Sequence, residues 1–174
     1  MSVYYETPEL KIRSMEPADA GIIYETYLSY GWHPSLETYE NYYREQETGK
    51  RQVFIAQWQG QVAGLCTLMP EPKEGPWAGM GYPEIVDLSV FIAARNQGIG
   101  NRLLDVAEAQ AAKLADRVCL AVGVHFGYGA AQRIYIQRGY LPDGTGAWYQ
   151  GKPLEQYAPC CNDDDLLLYL SKTI

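Results

Sequence analysis

Between an apolar, strand-like run and an amphipathic helix, the chain reads Arg95-Asn-Gln-Gly-Ile-Gly100, a segment able to bind an anion mainly through its backbone. Gly98 and Gly100 let the chain turn tightly and bring successive N–H groups toward one point, at the positive end of a helix dipole. Such a loop holds a pyrophosphate or another anion. Gly-x-Gly before a helix also opens the fingerprint of dinucleotide-binding folds. Three details set this loop apart from them. Leu103 stands where that fingerprint has its third glycine, several residues separate the strand from Gly98, and an Arg leads the loop. A glycine turn that merely lets a helix leave a strand is the remaining reading.

The elements around the loop follow from periodicity. Glu84 to Phe91 and Val118 to Val124 are near-continuous apolar runs typical of central strands. Between them Ile99, Leu103, Val106, Ala107 and Leu114 fall at helical spacings, which predicts a βαβ unit with parallel strands. Upstream, Leu10 to Met15 alternates as a short strand, and Pro17 suits the first turn of a helix running to about Tyr30. Ser35 suits the N-cap of a second helix that ends near Gly49. Gln52 to Trp58 and Val62 to Met69 are joined by Gln59-Gly60, a hairpin signature. Downstream come a helix from Gly129 to Arg138, stopped by Gly139, and strands around Ala147 and from Leu166 to Ser171. The fifteen residues from Met69 to Pro83 hold four Pro and three Gly and predict a flexible loop too short to separate domains. The order β-α-α-β-β-β-α-β-α-β-β predicts an α/β (α+β) fold with a mixed central sheet of about seven strands and about four helices. One domain over residues 1–174 is expected.

Composition narrows the function classes. With 47% hydrophobic and 20% charged residues, the chain has material for a real core and too little charge for a disordered tail. Fourteen Lys plus Arg against 21 Asp plus Glu give a net charge of -7, which argues against nucleic acid as the main partner and favours a cationic small molecule. No basic and then apolar leader opens the chain, and no stretch approaches the ~20 apolar residues that span a bilayer. A cytoplasmic protein with no membrane partner is expected. Cys66, Cys119, Cys160 and Cys161 fit neither a disulfide framework nor a zinc site, so they are read as buried or incidental thiols. With only His33 and His125 beside them, no metal is expected.

Three stretches together resemble the GNAT superfamily of acyl-CoA-dependent N-acetyltransferases. That family's loop reads Arg/Gln-x-x-Gly-x-Gly/Ala after its fourth strand, and Arg95, Gly98 and Gly100 fill its three defined places. Glu84-Ile-Val-Asp-Leu-Ser-Val90 is similar to the fourth strand itself. Ala131-x-x-x-Tyr135-x-x-x-Gly139-Tyr140 is similar to the family's Ala-x-x-x-Tyr-x-x-x-Gly-Phe helix ending, with Tyr in place of Phe. The element order agrees from Leu10 onward. One departure is Tyr128, seven residues before Tyr135, where the family often has Asn.

The resemblance implies a GNAT-like fold with splayed fourth and fifth strands and acetyl-CoA as co-substrate. The amides of Gln97, Gly98, Ile99 and Gly100, with Asn101 and the Arg95 side chain, would hold the CoA pyrophosphate. The main chain of Val90 would pair with pantetheine as another strand does. A bulge in the fourth strand would aim the Leu88 amide at the thioester carbonyl as an oxyanion-type donor. Tyr135 fills the family's position for the acid that protonates the departing CoA thiolate; its alternative is packing on the sheet.

The acceptor sets a further demand. An alkylammonium with a pKa near ~10 is no nucleophile at pH 7, so a base must take its proton. Glu84, where some family members keep a catalytic Glu, is the candidate, against the alternative of an idle carboxylate at a strand start. Asp87 is the substitute base or a substrate anchor. Regular alternation puts the two carboxylates ~10 Å apart on opposite faces unless a bulge intervenes. His33 and His125 pair with nothing in a recognisable spacing and are read as surface or hydrogen-bonded core histidines. Tyr27 belongs to an aromatic group with Tyr24, Tyr30, Trp32, Tyr39, Tyr42 and Tyr43, interleaved with Glu25, Glu37 and Glu40. That group suits an amine-binding wall, and its spacing equally suits a packed helix. Trp77 and Tyr82, on the Pro- and Gly-rich loop, are candidates for substrate contact.

The activity expected from these residues is transfer of an acetyl group from acetyl-CoA to a primary amine of a small molecule or peptide, by direct attack in a ternary complex. A catalytically silent acyl-CoA-binding domain is the alternative, and an NAD-dependent oxidoreductase the third option. The analogy leaves room for a homodimer through the late strands.

Overall fold

The structure, a computed structural model, describes residues 1–174. It is an α/β fold of four α-helices and nine strands that mix antiparallel pairs with a parallel one. The chain forms two compact units, residues 1–69 with 86–110 and residues 70–85 with 111–174.

In the first unit β1 (Val3–Glu6), β2 (Leu10–Ser14), β3 (Gln52–Trp58) and β4 (Gln61–Met69) pair antiparallel in sequence order, and residues 86–90 of β5 (Glu84–Val90) follow β4. Gln59 and Gly60, at φ 50° and 81°, make the two-residue turn between β3 and β4 that a right-handed sheet twist favours. Val53 to Ala56 and Ala63 to Leu68 are buried on both faces, which is why these strands read as apolar runs.

Helices α1 (Pro17–Ser29) and α2 (Leu36–Glu47) join β2 to β3. Pro17 opens α1 at N1, and Glu16 and Asp19 form a reciprocal capping box. Asp19 also takes a bidentate pair of hydrogen bonds from Arg13 of β2, at 2.6 and 2.9 Å, with the two residues 2% and 3% exposed. That hydrogen bond, outweighing desolvation, raises the Arg13 pKa further. Gln46 of α2 accepts from Met15 N–H at 3.0 Å and donates to Met15 C=O at 2.9 Å, fastening α2 to the start of α1. Ser35 stands at the N-cap of α2 as its type predicts, without a capping hydrogen bond from its side chain. Met15, Ala20, Ile23, Tyr27, Val53, Ile55, Leu65 and Phe91 form one core cluster, edged by Tyr30, Tyr39, Tyr42 and Tyr43.

The second unit is built on β6 (Arg117–Gly123), which takes residues 84 and 85 of β5 as a parallel neighbour and β9 (Leu166–Thr173) as an antiparallel one. The strands β7 (Leu141–Tyr149) and β8 (Lys152–Pro153) continue beyond β9. Gly144 and Gly146, both left-handed, interrupt the β7–β9 register between Pro142 and Ala147. Helix α4 (Gly129–Gln137) ends on Gly139 at φ 88°, with the Tyr140 N–H returning to the Tyr135 carbonyl at 3.0 Å.

Two expectations need correction. The strands number nine rather than about seven, because β1 and β8 are short and only partly apolar. Helix α3 (Ile99–Ala111) stops before Leu114, whose N–H turns back onto the Ala111 carbonyl and whose side chain is exposed. No helix is long and apolar enough to cross a membrane.

The buried ion pair offers a stability test. Asp19→Ala takes the bidentate partner from the buried Arg13 charge, leaving beside it the Ser14 carbonyl at 3.0 Å and the half-exposed Glu16 carboxylate at 3.8 Å, and is expected to remove about 3 kcal/mol of unfolding free energy, measured by urea titration. The double replacement Arg13→Met with Asp19→Leu removes both charges and is expected to recover most of that loss.

Candidate active site

Helix α3 starts a few residues after β5, and the residues between them turn tightly into it. Arg95 is extended, at φ -67° and ψ 160°; Asn96 is left-handed at φ 63° and Gly98 at φ 76°. Two left-handed residues on either side of Gln97 make a tight turn into the helix. Ile99 and Gly100 open α3, where the first N–H groups have no carbonyl one turn earlier to accept them. A Cβ added at Gly98 would meet nothing within 4 Å, so glycine is needed there for its φ and the space in front stays open. At Gly100 an added Cβ would lie 3.5 Å from Val90 Cγ2, and the Arg95 Nε–H donates to the Val90 carbonyl at 3.2 Å. Val90, Arg95 and Gly100 are thus brought together, with Gln97, Gly98, Ile99 and Asn101 in the same loop and first turn. The donor set suits the diphosphate of a CoA molecule.

Strand β5 supplies the main chain beside that loop. The Phe91 N–H donates to Ala63 of β4 at 2.8 Å, so by strand alternation the N–H and C=O of Val90 and Leu88 face away from β4. Val86 would face the same way in a regular strand. Its carbonyl instead accepts from the buried Thr67 hydroxyl of β4 at 3.2 Å. The break lies at Asp87, a non-glycine residue at φ 56°. The regular alternation that the sequence predicts for this strand is therefore broken at Asp87. Gly64 lets the strands close up here, since any Cβ on it would run into the Ser89 carbonyl oxygen and come to 3.0 Å from Val90 Cα.

The Asp87 carboxylate accepts a hydrogen bond from the Tyr42 hydroxyl at 2.7 Å and lies 3.6 Å from Arg51 Nη1. Burial, reinforced by the charge and hydrogen bond of Asp87, raises the Tyr42 phenol well above its ordinary range. Tyr27 is buried, stacked on Trp32 at 5.0 Å and edge-on to Phe91 at 5.6 Å. In the first unit its ring is the hub of the core.

In the second unit Glu84 opens β5 opposite Cys119 of β6. Burial first, and the Glu84 charge second, push the Cys119 thiol up to about 12. Tyr135 is buried on α4, its ring 5.8 Å from that of Tyr140. Tyr82 lies under the Arg117 guanidinium at 5.7 Å. Trp77 meets the ring of Tyr169 edge-on at 6.0 Å, and Trp148 meets the same ring at 5.2 Å. Gly75 permits that packing, because a Cβ there would come to 2.6 Å from the Tyr169 ring. Burial and then the charges of Glu84, Glu74 and Asp143 push the Tyr169 phenol up to about 12. An acidic and aromatic surround therefore exists in this unit, built on Tyr169 and Trp148, which periodicity gave no reason to single out. Tyr128, at the place of the family's Asn, packs its ring over Gly123 and donates its hydroxyl to Asp164 at 3.0 Å. His125 also bonds Asp164, at 3.0 Å, and His33 is exposed.

Residues 20–140, most of the chain, match the Acetyltransferase (GNAT) family. No curated protein matches it in sequence. Among solved structures, the Salmonella typhimurium acetyltransferase that modifies the N-terminal serine of a 50S ribosomal subunit protein superposes with a TM-score of 0.73 at 14% identity, covering 99% of each chain. A ribosomal-protein alpha-N acetyltransferase in complex with coenzyme A gives 0.73 at 12% identity, covering 99% of this chain and 98% of that one. The ribosomal-protein-alanine N-acetyltransferase of Brucella melitensis gives 0.67 at 20% identity, over 94% and 99%. At these identities the likeness is one of fold.

The anion loop is best tested at Gly100, where a side chain fits without backbone strain. An Asp in the first turn of α3 favours the helix, so Gly100→Asp is expected to keep the melting temperature. Acetyl-CoA affinity, by calorimetry, is expected to fall by about ten- to a hundredfold through like charge and bulk. Unchanged affinity would place the diphosphate elsewhere.

Proposed function

This chain belongs to the GNAT family of acetyltransferases, and we propose that it transfers an acetyl group from acetyl-CoA to a primary amine of a small molecule or peptide, by direct attack in a ternary complex. The observation that carries this reading is the tight turn of Asn96 and Gly98 into the first turn of α3, open at the Gly98 Cβ position and packed at Gly100 against Val90. Bound there, acetyl-CoA supplies an activated acyl group as its thioester. The backbone amides from Gln97 to Gly100, with Asn101 and Arg95, hold the diphosphate, and Val90 aligns the pantetheine arm. The Leu88 N–H donates to the acyl oxygen, where negative charge develops as the amine attacks.

Glu84 accepts the ammonium proton, directly or through water, and Tyr135 returns a proton to the leaving sulfur. Direct transfer is supported by the state of the buried cysteines. Burial pushes the thiols of Cys66 and Cys119 upward, so neither is a thiolate nucleophile near neutral pH. Glu74, Glu84 and Asp143 around the Trp77, Tyr169 and Trp148 rings support a cationic acceptor, as does the net charge of -7. The structural relatives named for modifying ribosomal proteins put peptide amino termini among the acceptors to assay, beside polyamines and amino acids. Thiol release in that panel tests the whole reading. Acetyl-CoA binding without any release would instead make this a silent acyl-CoA-binding domain.

The proton-transfer roles separate by pH. Glu84→Gln is expected to lower kcat most near neutral pH, where the acceptor is protonated, with the loss shrinking as pH approaches the amine's own pKa of ~10. A uniform loss at every pH would assign Glu84 to charge stabilisation instead. Tyr135→Phe removes only a hydroxyl, so CoA affinity is expected to survive while kcat falls by roughly ten- to a thousandfold. Unchanged turnover with chemistry rate-limiting would take Tyr135 out of the mechanism.

A further inference from the structure

The left-handed Asp87 is held from several directions within the first unit. Its carboxylate accepts from the Tyr42 hydroxyl at 2.7 Å. The carbonyl of the preceding residue, Val86, accepts from the Thr67 hydroxyl at 3.2 Å. Arg51 links the two holds: its Nη1 donates to Thr67 Oγ1 at 2.8 Å and stands 3.6 Å from Asp87 Oδ2. The same guanidinium lies over the Tyr42 ring at 4.2 Å and donates from Nε to Glu45 at 2.7 Å. Arg51 is 11% exposed against 38% for Asp87, so the clamp is drier than the residue it holds. Residues from α2, from the position just before β3 and from β4 thus converge on one peptide of β5.

Such convergence has a physical purpose. A left-handed non-glycine residue is strained and persists only when its surroundings over-determine it. The peptide that follows Asp87 carries the Leu88 N–H, and its direction is set by the torsions of Asp87. We infer that Tyr42, Arg51 and Thr67 are positioning residues, which hold Asp87 left-handed and thereby aim the Leu88 amide during acyl transfer. This rests on the role proposed above for the Leu88 N–H. None of the three needs to touch acetyl-CoA or the amine.

The test uses the whole chain, four single variants and one double variant. Tyr42→Phe removes one hydroxyl and Arg51→Met removes the charged fork; each is expected to lower kcat by about ten- to a hundredfold, as small misplacements of a catalytic donor do, with acetyl-CoA affinity within twofold of wild type. Asp87→Asn keeps an acceptor for Tyr42 and tolerates the left-handed conformation, so it is expected to lose less turnover than Asp87→Ala, which loses both. If Tyr42 acts through Asp87, combining Tyr42→Phe with Asp87→Ala adds no loss beyond Asp87→Ala alone. Additive losses, wild-type kcat in Tyr42→Phe, or losses of kcat, CoA affinity and melting temperature in step would each overturn the proposal. Hydrogen exchange supplies a readout independent of catalysis: the segment 86–90 is expected to exchange faster in Tyr42→Phe, and unchanged exchange overturns the clamp. Should the wild-type chain release no thiol with any acceptor, the catalytic reading fails by itself, and the exchange result still decides whether the clamp exists.

Discussion

Asp87 interrupts β5 at φ 56°, and the usefulness of the strand's main chain depends on that one residue. Before it, Glu84 and Ile85 pair in parallel with β6. After it, Phe91 is bonded to Ala63 of β4 while Leu88 and Val90 turn their polar groups the other way. A strand with unbroken alternation could not take Val86 toward Thr67 and still present Leu88 and Val90 outward. The inserted left-handed residue resolves that conflict at a cost that hydrogen bonding and charge at Asp87 offset. Gly64 belongs to the same construction, because a side chain on β4 at that point would hold the Ser89 to Val90 backbone away.

The electrostatics of the chain follow two separate scales. Overall it is acidic, with a net charge of -7, yet the loop entering α3 presents backbone N–H groups, whose partial charges are no part of that sum. The anion site proposed for this loop therefore needs no basic patch, provided the donors are fixed and the side chains are absent. Gly98 meets both conditions: its φ is left-handed and its Cβ position is open. In the second unit the carboxylates act over longer distances. Together with burial they keep Tyr169 and Cys119 protonated, so those groups serve as rings and small apolar fillers rather than as nucleophiles.

Elements with a local cause were legible from the residues. Gln59-Gly60 places the turn between β3 and β4 because only residues tolerant of positive φ close a two-residue hairpin there. Pro17 opens α1 and Gly139 closes α4 for equally local reasons. The strands β3, β4 and β6 are buried on both faces, and that burial writes itself as uninterrupted apolar sequence. Marginal elements left weaker marks. The Val3 to Glu6 strand and the two-residue β8 carry too few apolar residues to show a period, and the helical stripe through Leu114 overran the true end of α3 at Ala111.

The sequence by itself determined the βαβ order, the glycine turn from Arg95 to Gly100 and the family motif, because each depends on residues close together in the chain. Only the tertiary structure decided what surrounds them. Arg51 and Tyr42 stand 36 and 45 positions from Asp87 and have no motif of their own, and Trp77 and Trp148 meet the Tyr169 ring from 92 and 21 positions away. The aromatic group near Tyr27 was ambiguous for the same reason: one helical spacing serves a substrate wall and a packed core, and the contacts of Tyr27 with Trp32 and Phe91 settle its ring into the core. Turn and cap chemistry acts over a few residues and can be read along the chain, whereas a side chain's partners are chosen by packing in three dimensions, which composition and periodicity leave open.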